Sequence, residues 1–157
     1  MDIKFATEEN IPLILQFIKE LADYEKLLHE VVATEKILKE KLFGEKKYAE
    51  VVFAYDGEEP VGFALFFHNF STFLGKPGLY LEDLYVRPTH RSKGIGQQLL
   101  RFLAQLAKKR DCGRLEWWVL NWNKKAIDFY LKIGAIPMDE WTVFRVTGQA
   151  LEELTHS

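Results

Sequence analysis

Residues 91–96 read Arg-Ser-Lys-Gly-Ile-Gly, set between an apolar run ending Leu84-Tyr85-Val86-Arg87-Pro88 and a stretch whose Leu99, Leu100, Leu103, Leu106 and Ala107 recur at helical spacing. A strand that passes through a short glycine loop into an amphipathic helix needs a sheet for the helix to pack on. Free backbone N–H groups and the positive end of the helix dipole converge at such a loop, which favours a phosphate there. Gly94 and Gly96 let the backbone approach the anion, and Arg91 and Lys93 add charge. Two familiar phosphate sites do not fit: a dinucleotide fingerprint needs a third glycine where Leu99 stands, and the Gly-Lys-Ser/Thr of a P-loop is missing.

Around this unit the chain alternates helical and strand patterns. Thr7 or Asn10 caps a first helix, with Pro12 in its first turn, Ile14, Phe17, Ile18 and Leu21 on its apolar face, and its end near Tyr24. Thr34 opens a second helix that Gly44 stops, and the Lys/Glu-rich run of 34–47 makes a solvated face. Residues 51–55 and 61–67 form two buried strands joined by a hairpin, and 75–78, Gly-Lys-Pro-Gly, form the next turn. A third strand, 79–86, carries the adjacent acids Glu82 and Asp83, which strict alternation sends to opposite sides. After Cys112-Gly113, residues 115–120 make a fourth strand, and Asn123 caps a helix bearing Ala126, Ile127, Tyr130 and Leu131 that Gly134 ends. A last strand at 141–146, a tail helix near 151–154 and an extra strand at 3–6 complete an α/β (α+β mixed) order, with helices packed on a mixed sheet.

The 157 residues suit one domain, 1–157, and no repeat or long linker divides them. A net charge of −2 with scattered Lys and Arg argues against nucleic acid as a partner. The N-terminus lacks a basic and apolar leader pattern, and no apolar run reaches the ~20 residues of a membrane span, so a cytoplasmic protein with no membrane partner is expected. Cys112, the single cysteine, excludes an internal disulfide and reads as an inert thiol. His29, His68, His90 and His156 lack the spacing of metal ligands, so no metal is expected.

Arg-x-x-Gly-x-Gly after a strand ending Val86-Arg87-Pro88 resembles the pyrophosphate-binding segment of the GNAT acetyltransferases. The likeness extends to Glu20-Leu21-Ala22-Asp23-Tyr24-Glu25, Leu79-Tyr80-Leu81-Glu82-Asp83, Trp122-Asn123, Asp128-Phe129-Tyr130 and Gly134-Ala135. Together these stretches are similar to the spermidine/spermine acetyltransferase branch. The resemblance implies a mixed, mostly antiparallel twisted sheet flanked by helices, in which two neighbouring parallel strands splay to hold coenzyme A. It also implies acetyl transfer from acetyl-CoA, as co-substrate, to a primary amine of a polyamine, diamine or thialysine/lysine-like acceptor in a ternary complex.

Carried over residue by residue, the likeness gives the diphosphate to Arg91, Ser92, Lys93, Gly94, Ile95, Gly96 and Gln97. The pantetheine arm falls to the backbone of Leu84, Tyr85 and Val86, with Asn123, Lys124, Lys125, Ala126 and Tyr130 also meeting the coenzyme. Acetyl transfer needs a neutral amine, yet an alkyl ammonium has a pKa near ~10.4, so a carboxylate must help remove the proton, directly or through water. Glu82 matches that acid, and burial would raise its pKa into a useful range. Tyr130 matches the donor that protonates the departing thiolate. Tyr24, Glu25, Glu82, Glu116, Trp117 and Trp118 make the acceptor side, one tryptophan packing in the core and the other lining the cleft. A homodimer is implied, with 141–146 near the partner. The chain is shorter between its two early strands than animal polyamine enzymes, which leaves the acceptor open. Acetylation of a protein lysine or N-terminus, and a non-catalytic acyl-CoA sensor, are the alternative readings.

Overall fold

The structure, a computed structural model, describes residues 1–156. Helix α1, Ile11–Tyr24, follows a short 3-10 turn in which the Thr7 N–H donates to Asn10 Oδ1 at 2.8 Å, so the two predicted caps act together. Its buried stripe is Ile11, Ile14, Phe17 and Leu21. The Phe17 ring centre lies 5.3 Å from those of both Phe53 and Phe63 and 6.1 Å from that of Tyr85. Helix α2, Glu35–Leu42, begins where Thr34 Oγ1 accepts from the Ile37 N–H at 3.2 Å, and adds Leu38 and Leu42 to the same core.

Five strands follow one another across the sheet in chain order: β1 (Asp2–Phe5), β2 (Glu50–Asp56), β3 (Glu59–Ser71), β4 (Lys76–Val86) and β5 (Leu115–Trp117). All neighbours are antiparallel except β4 and β5, which run parallel, so the mixed, mostly antiparallel sheet is as expected. Val51, Phe53, Phe63 and Tyr85 face α1 and α2. Helix α3, Ile95–Lys109, takes the other face: it buries Ile95, Leu99, Leu100, Leu103 and Ala107, and a Cβ on Gly62, next to Phe63 in β3, would touch Ile95 and Leu99 at 3.4 Å.

Three expectations need correction. Residues 75–78 are not a turn, because the hairpin turns at 72–75 and β4 begins at Lys76, paired with Ser71. Gly78 is required by close packing, since a Cβ there would collide with the side chain of its cross-strand partner Asn69. The strand expected over 115–120 is a ladder of three residues, because its partner β4 bulges directly after Leu81, where the ladder ends. Residues 141–146 form no strand; alternating apolar residues supply propensity, but a strand exists only where a neighbour takes its backbone groups. Trp141, Val143, Phe144 and Val146 are exposed.

Two compact units are present, Met1–Trp118 and Val119–Ser157. The second contains α4 (Lys124–Lys132), ended by Gly134 at φ +93°, and α5 (Gly148–Leu154). Among the described residues no helix is long and apolar enough to cross a membrane.

Candidate active site

The register between β3 and β4 shifts at one point. Leu65 pairs with Asp83 but the next residue, Phe66, pairs with Leu81, so Glu82 is the extra residue of a β-bulge. Cross-strand partners share a face. Leu65 packs on the α1 core, which puts Asp83 on that face with Tyr85, whose partner is Phe63. Leu81, opposite Phe66, lies on the α3 face. Alternation would have given Leu81 and Asp83 the same face, and the bulge breaks it.

The consequence is electrostatic. Withdrawal from water pushes the Asp83 carboxyl from its ordinary 3.8 up to about 7, and the charges of Glu82 and then Glu25 add to the rise. Glu25, just past the end of α1, is raised by burial first and by Glu82 second. Asp83 therefore does not turn away from Glu82; three carboxylates repel one another at one place. Glu82 is exposed, so the burial expected to tune it falls on Asp83 instead.

The segment joining β4 to α3 is fastened to α1 by two arginines. Arg87 Nε and Nη2 donate to Glu20 Oε1 and Oε2 at 3.1 and 2.9 Å, Nη1 donates to the Pro60 carbonyl at 3.0 Å, and the guanidinium lies 4.4 Å from the Phe17 ring centre. Arg91 Nε donates to the Val86 carbonyl at 2.9 Å, and its guanidinium lies 4.5 Å from the Tyr24 ring centre and 5.4 Å from that of Tyr85. Phe17, Glu20 and Tyr24, at helical spacing, present one stripe of α1 to both cations.

Past Arg91 the backbone takes left-handed conformations at Ser92 (φ +66°) and Gly94 (φ +79°) before α3 begins. The first intrahelical bond at this end is Gln98 N–H to the Gly94 carbonyl at 3.0 Å, so the N–H groups of Ile95, Gly96 and Gln97 precede it. A Cβ at Gly94 or Gly96 would meet nothing within 4 Å, and Ser92, Lys93 and Gln97 are exposed. This loop has the open backbone donors and the charge that suit a phosphate group. On the neighbouring side of β4, the parallel ladder ends at Leu81 with Trp117 while the strand runs on through Leu84 and Tyr85 to Val86.

Glu116 is already engaged: Arg114 Nε lies 2.8 Å from it, and Asn69 Nδ2 donates to it at 3.0 Å. Neither tryptophan is a core residue. Trp117 is half-buried and Trp118 is 58% exposed, edge-on to Tyr80 with ring centres 6.0 Å apart. A ladder of three residues is too short to sink either ring between layers. In the second unit, Asn123 Oδ1 accepts from the Ala126 N–H at 3.3 Å and caps α4, which carries Lys124, Lys125 and a half-buried Tyr130. Cys112 is half-buried and its thiol is pushed up by desolvation, which disfavours the reactive thiolate. The residues that sequence reasoning left without a site role are Asp83, Glu20 and Arg87. Two consecutive acids in an apolar strand were the available signal for the first; for Glu20 and Arg87, 67 residues apart, there was none.

A model of the acetyltransferase (GNAT) family matches residues 16–135. The chain is 38% identical to the thialysine N-epsilon-acetyltransferase of Bos taurus over 164 residues, covering 97% of this chain and 95% of that protein. It is 33% identical to the L-ornithine N5-acetyltransferase NATA1 of Arabidopsis thaliana, covering 97% and 86%. Among solved structures, an integron cassette protein from the mobile metagenome of V. cholerae superposes with a TM-score of 0.83 at 31% identity, covering 99% and 98%. Most of the chain, loop and bulged strand included, lies inside the family match, and the chain belongs to the GNAT acetyltransferase family as an N-acetyltransferase.

Proposed function

We propose that this N-acetyltransferase acts on a small cationic acceptor, a polyamine, a diamine or a thialysine- or lysine-like amine, by direct transfer in a ternary complex. The observation that carries the reading is the cluster of Glu25, Glu82 and Asp83, with Asp83 raised to about 7. Three acids draw a cation and favour the ammonium form on arrival, and a group that titrates near neutrality can then take its proton. Glu82, the exposed member, meets the amine directly or through one water, and Asp83 behind it shares the proton. The named acceptors of the relatives, thialysine and ornithine, are small amines of this kind.

Acetyl-coenzyme A supplies an acetyl group activated as a thioester. The N–H groups of Ile95, Gly96 and Gln97, with Ser92, Lys93, Gly94 and Arg91, hold its diphosphate, and the backbone of Leu84, Tyr85 and Val86 past the end of the parallel ladder receives the pantetheine arm. Asn123, Lys124, Lys125 and Ala126 contact the coenzyme, and the Tyr130 hydroxyl gives a proton to the sulfur that leaves. Trp117 and Trp118 border the acceptor, while Glu116, held by Arg114, shapes that border without supplying a free charge.

The whole chain, 1–157, works as one acetyltransferase domain; the family match crosses the boundary between the two compact units, which supports this reading. It acts in the cytoplasm as a homodimer, the exposed apolar side chains of 141–146 lying against the partner. Release of free coenzyme A, followed with a thiol reagent across thialysine, ornithine, lysine, spermidine, spermine, short diamines and a lysine peptide, tests the function. Turnover of a small amine supports it. Turnover of the peptide alone would make the chain a protein acetyltransferase, and coenzyme binding without turnover would make it a sensor.

A further inference from the structure

The two arginines that fasten the β4–α3 segment to α1 differ in how their charge is met. Arg87 is neutralised by Glu20, whereas among the described residues Arg91 forms no ion pair with a carboxylate. Its guanidinium rests against Tyr24 and Tyr85, whose ring centres are 6.4 Å apart, and its Nε donates to the Val86 carbonyl. The charge is thus held in place but left for an anion, at the first position of the loop that suits a phosphate. Tyr24 is the last residue of α1, and Glu25, next to it, senses Glu82. One cation therefore touches both the phosphate loop and the residue that leads into the carboxylate cluster.

We propose that Arg91 and Tyr24 couple the two substrates, so that each tightens the binding of the other. This rests on the assignment of the loop to the coenzyme and of the carboxylates to the amine. A diphosphate on the loop fixes the Arg91 side chain, the fixed guanidinium holds the Tyr24 ring, and the end of α1 then presents Glu25 to the amine. Tyr24 acts here as a positioning residue. Because the coupling is a free energy between two sites, the amine must tighten the coenzyme by the same factor.

Calorimetric titration of coenzyme A, which carries no acetyl group to transfer, into the protein with and without saturating thialysine measures that factor, and spermidine serves as a second probe. The wild-type Kd for coenzyme A is expected to fall about fivefold or more in the presence of the amine. Tyr24→Leu, which removes the ring face, brings the ratio to about one while coenzyme A still binds alone, and Tyr24→Phe, which keeps the face, retains the ratio. A wild-type ratio of one with both amines, or an undiminished ratio in Tyr24→Leu, overturns the coupling. If the functional reading itself is wrong the result differs: coenzyme A fails to bind the wild-type protein, or no amine releases thiol, and the coupling falls with it.

Discussion

Arg87 and Glu20 meet through two nearly parallel charge-assisted hydrogen bonds, 3.1 and 2.9 Å long, between side chains only 20% and 28% exposed. The pair joins the middle of α1 to the residue directly after β4, so it holds the helix in register with the bulged strand. Glu20→Ala would leave the guanidinium half-buried with the Pro60 carbonyl as its remaining hydrogen-bond partner. The expected loss is about 1–3 kcal/mol, read as a lower urea midpoint at unchanged m-value. Glu20→Gln, which keeps one acceptor, should lose less than half of that. An unchanged midpoint in Glu20→Ala would show that the pair does not hold the helix.

The acid cluster predicts a pH profile. For a base to work it must be unprotonated, so kcat/KM should rise with pH through an apparent midpoint near the value of about 7 at Asp83, a midpoint that belongs to the coupled acids together. Glu82→Gln should lower kcat/KM by about 10²-fold. Asp83→Asn removes the neighbouring charge and should move the midpoint down by about one pH unit. A profile that ignores both substitutions would remove these residues from the proton path.

Asp83 also predicts a stability trend. Its folded-state pKa lies above its ordinary value, so the native protein holds the proton more tightly than the unfolded chain does. That contribution is fully present below pH ~4 and is lost as the pH rises through about 7. Urea unfolding at pH 5 and pH 8 should therefore show Asp83→Asn gaining on the wild-type protein at the higher pH. A constant difference between the two proteins would mean that Asp83 is not withdrawn from water.

Tyr130→Phe keeps the ring and removes the hydroxyl. As the proposed donor to the leaving sulfur, it should lower kcat by about 10–100-fold, with coenzyme A affinity little changed. A thiol with a pKa near ~8.5 departs unaided more readily as the pH rises, so the deficit should shrink toward alkaline pH. An unchanged rate at every pH would end the donor role.

Gly94 sits at φ +79° with open space around it, so Gly94→Ala meets backbone strain without a clash. Left-handed backbone costs a residue with a Cβ about 1–2 kcal/mol. If the loop holds the diphosphate only in this conformation, coenzyme A binding should weaken by about 5–30-fold in a calorimetric titration. Full affinity in the variant would show that the loop's left-handed turn is not needed for the ligand.

The parts of the fold that were legible in the sequence are those set by neighbours in the chain. The stripe of α1, the caps at Thr34 and Asn123 and the glycine loop before α3 all depend on residues a turn or less apart. What escaped depends on pairing between distant segments. Alternation placed Glu82 and Asp83 on opposite faces because it contains no information about the register against β3, and the bulge exists only in that register. Likewise Gly78 resembled a turn glycine until Asn69 lay across from it, and 141–146 had the composition of a strand without a partner to make it one.

The bulge also sets which kinds of sequence change this lineage can accept. Point substitutions in β4 alter one side chain at a time and leave the ladder standing. Deleting Glu82 itself would restore regular pairing, with Leu81 still opposite Phe66 and Asp83 opposite Leu65, at the cost of the exposed acid of the cluster. Deleting a residue between Asp83 and Arg87 would instead flip the faces that follow and put Arg87 and Arg91 out of step with Glu20 and Tyr24. The strand should therefore drift in composition while keeping its length, and insertions should collect elsewhere, as at the solvent-exposed 72–75 turn.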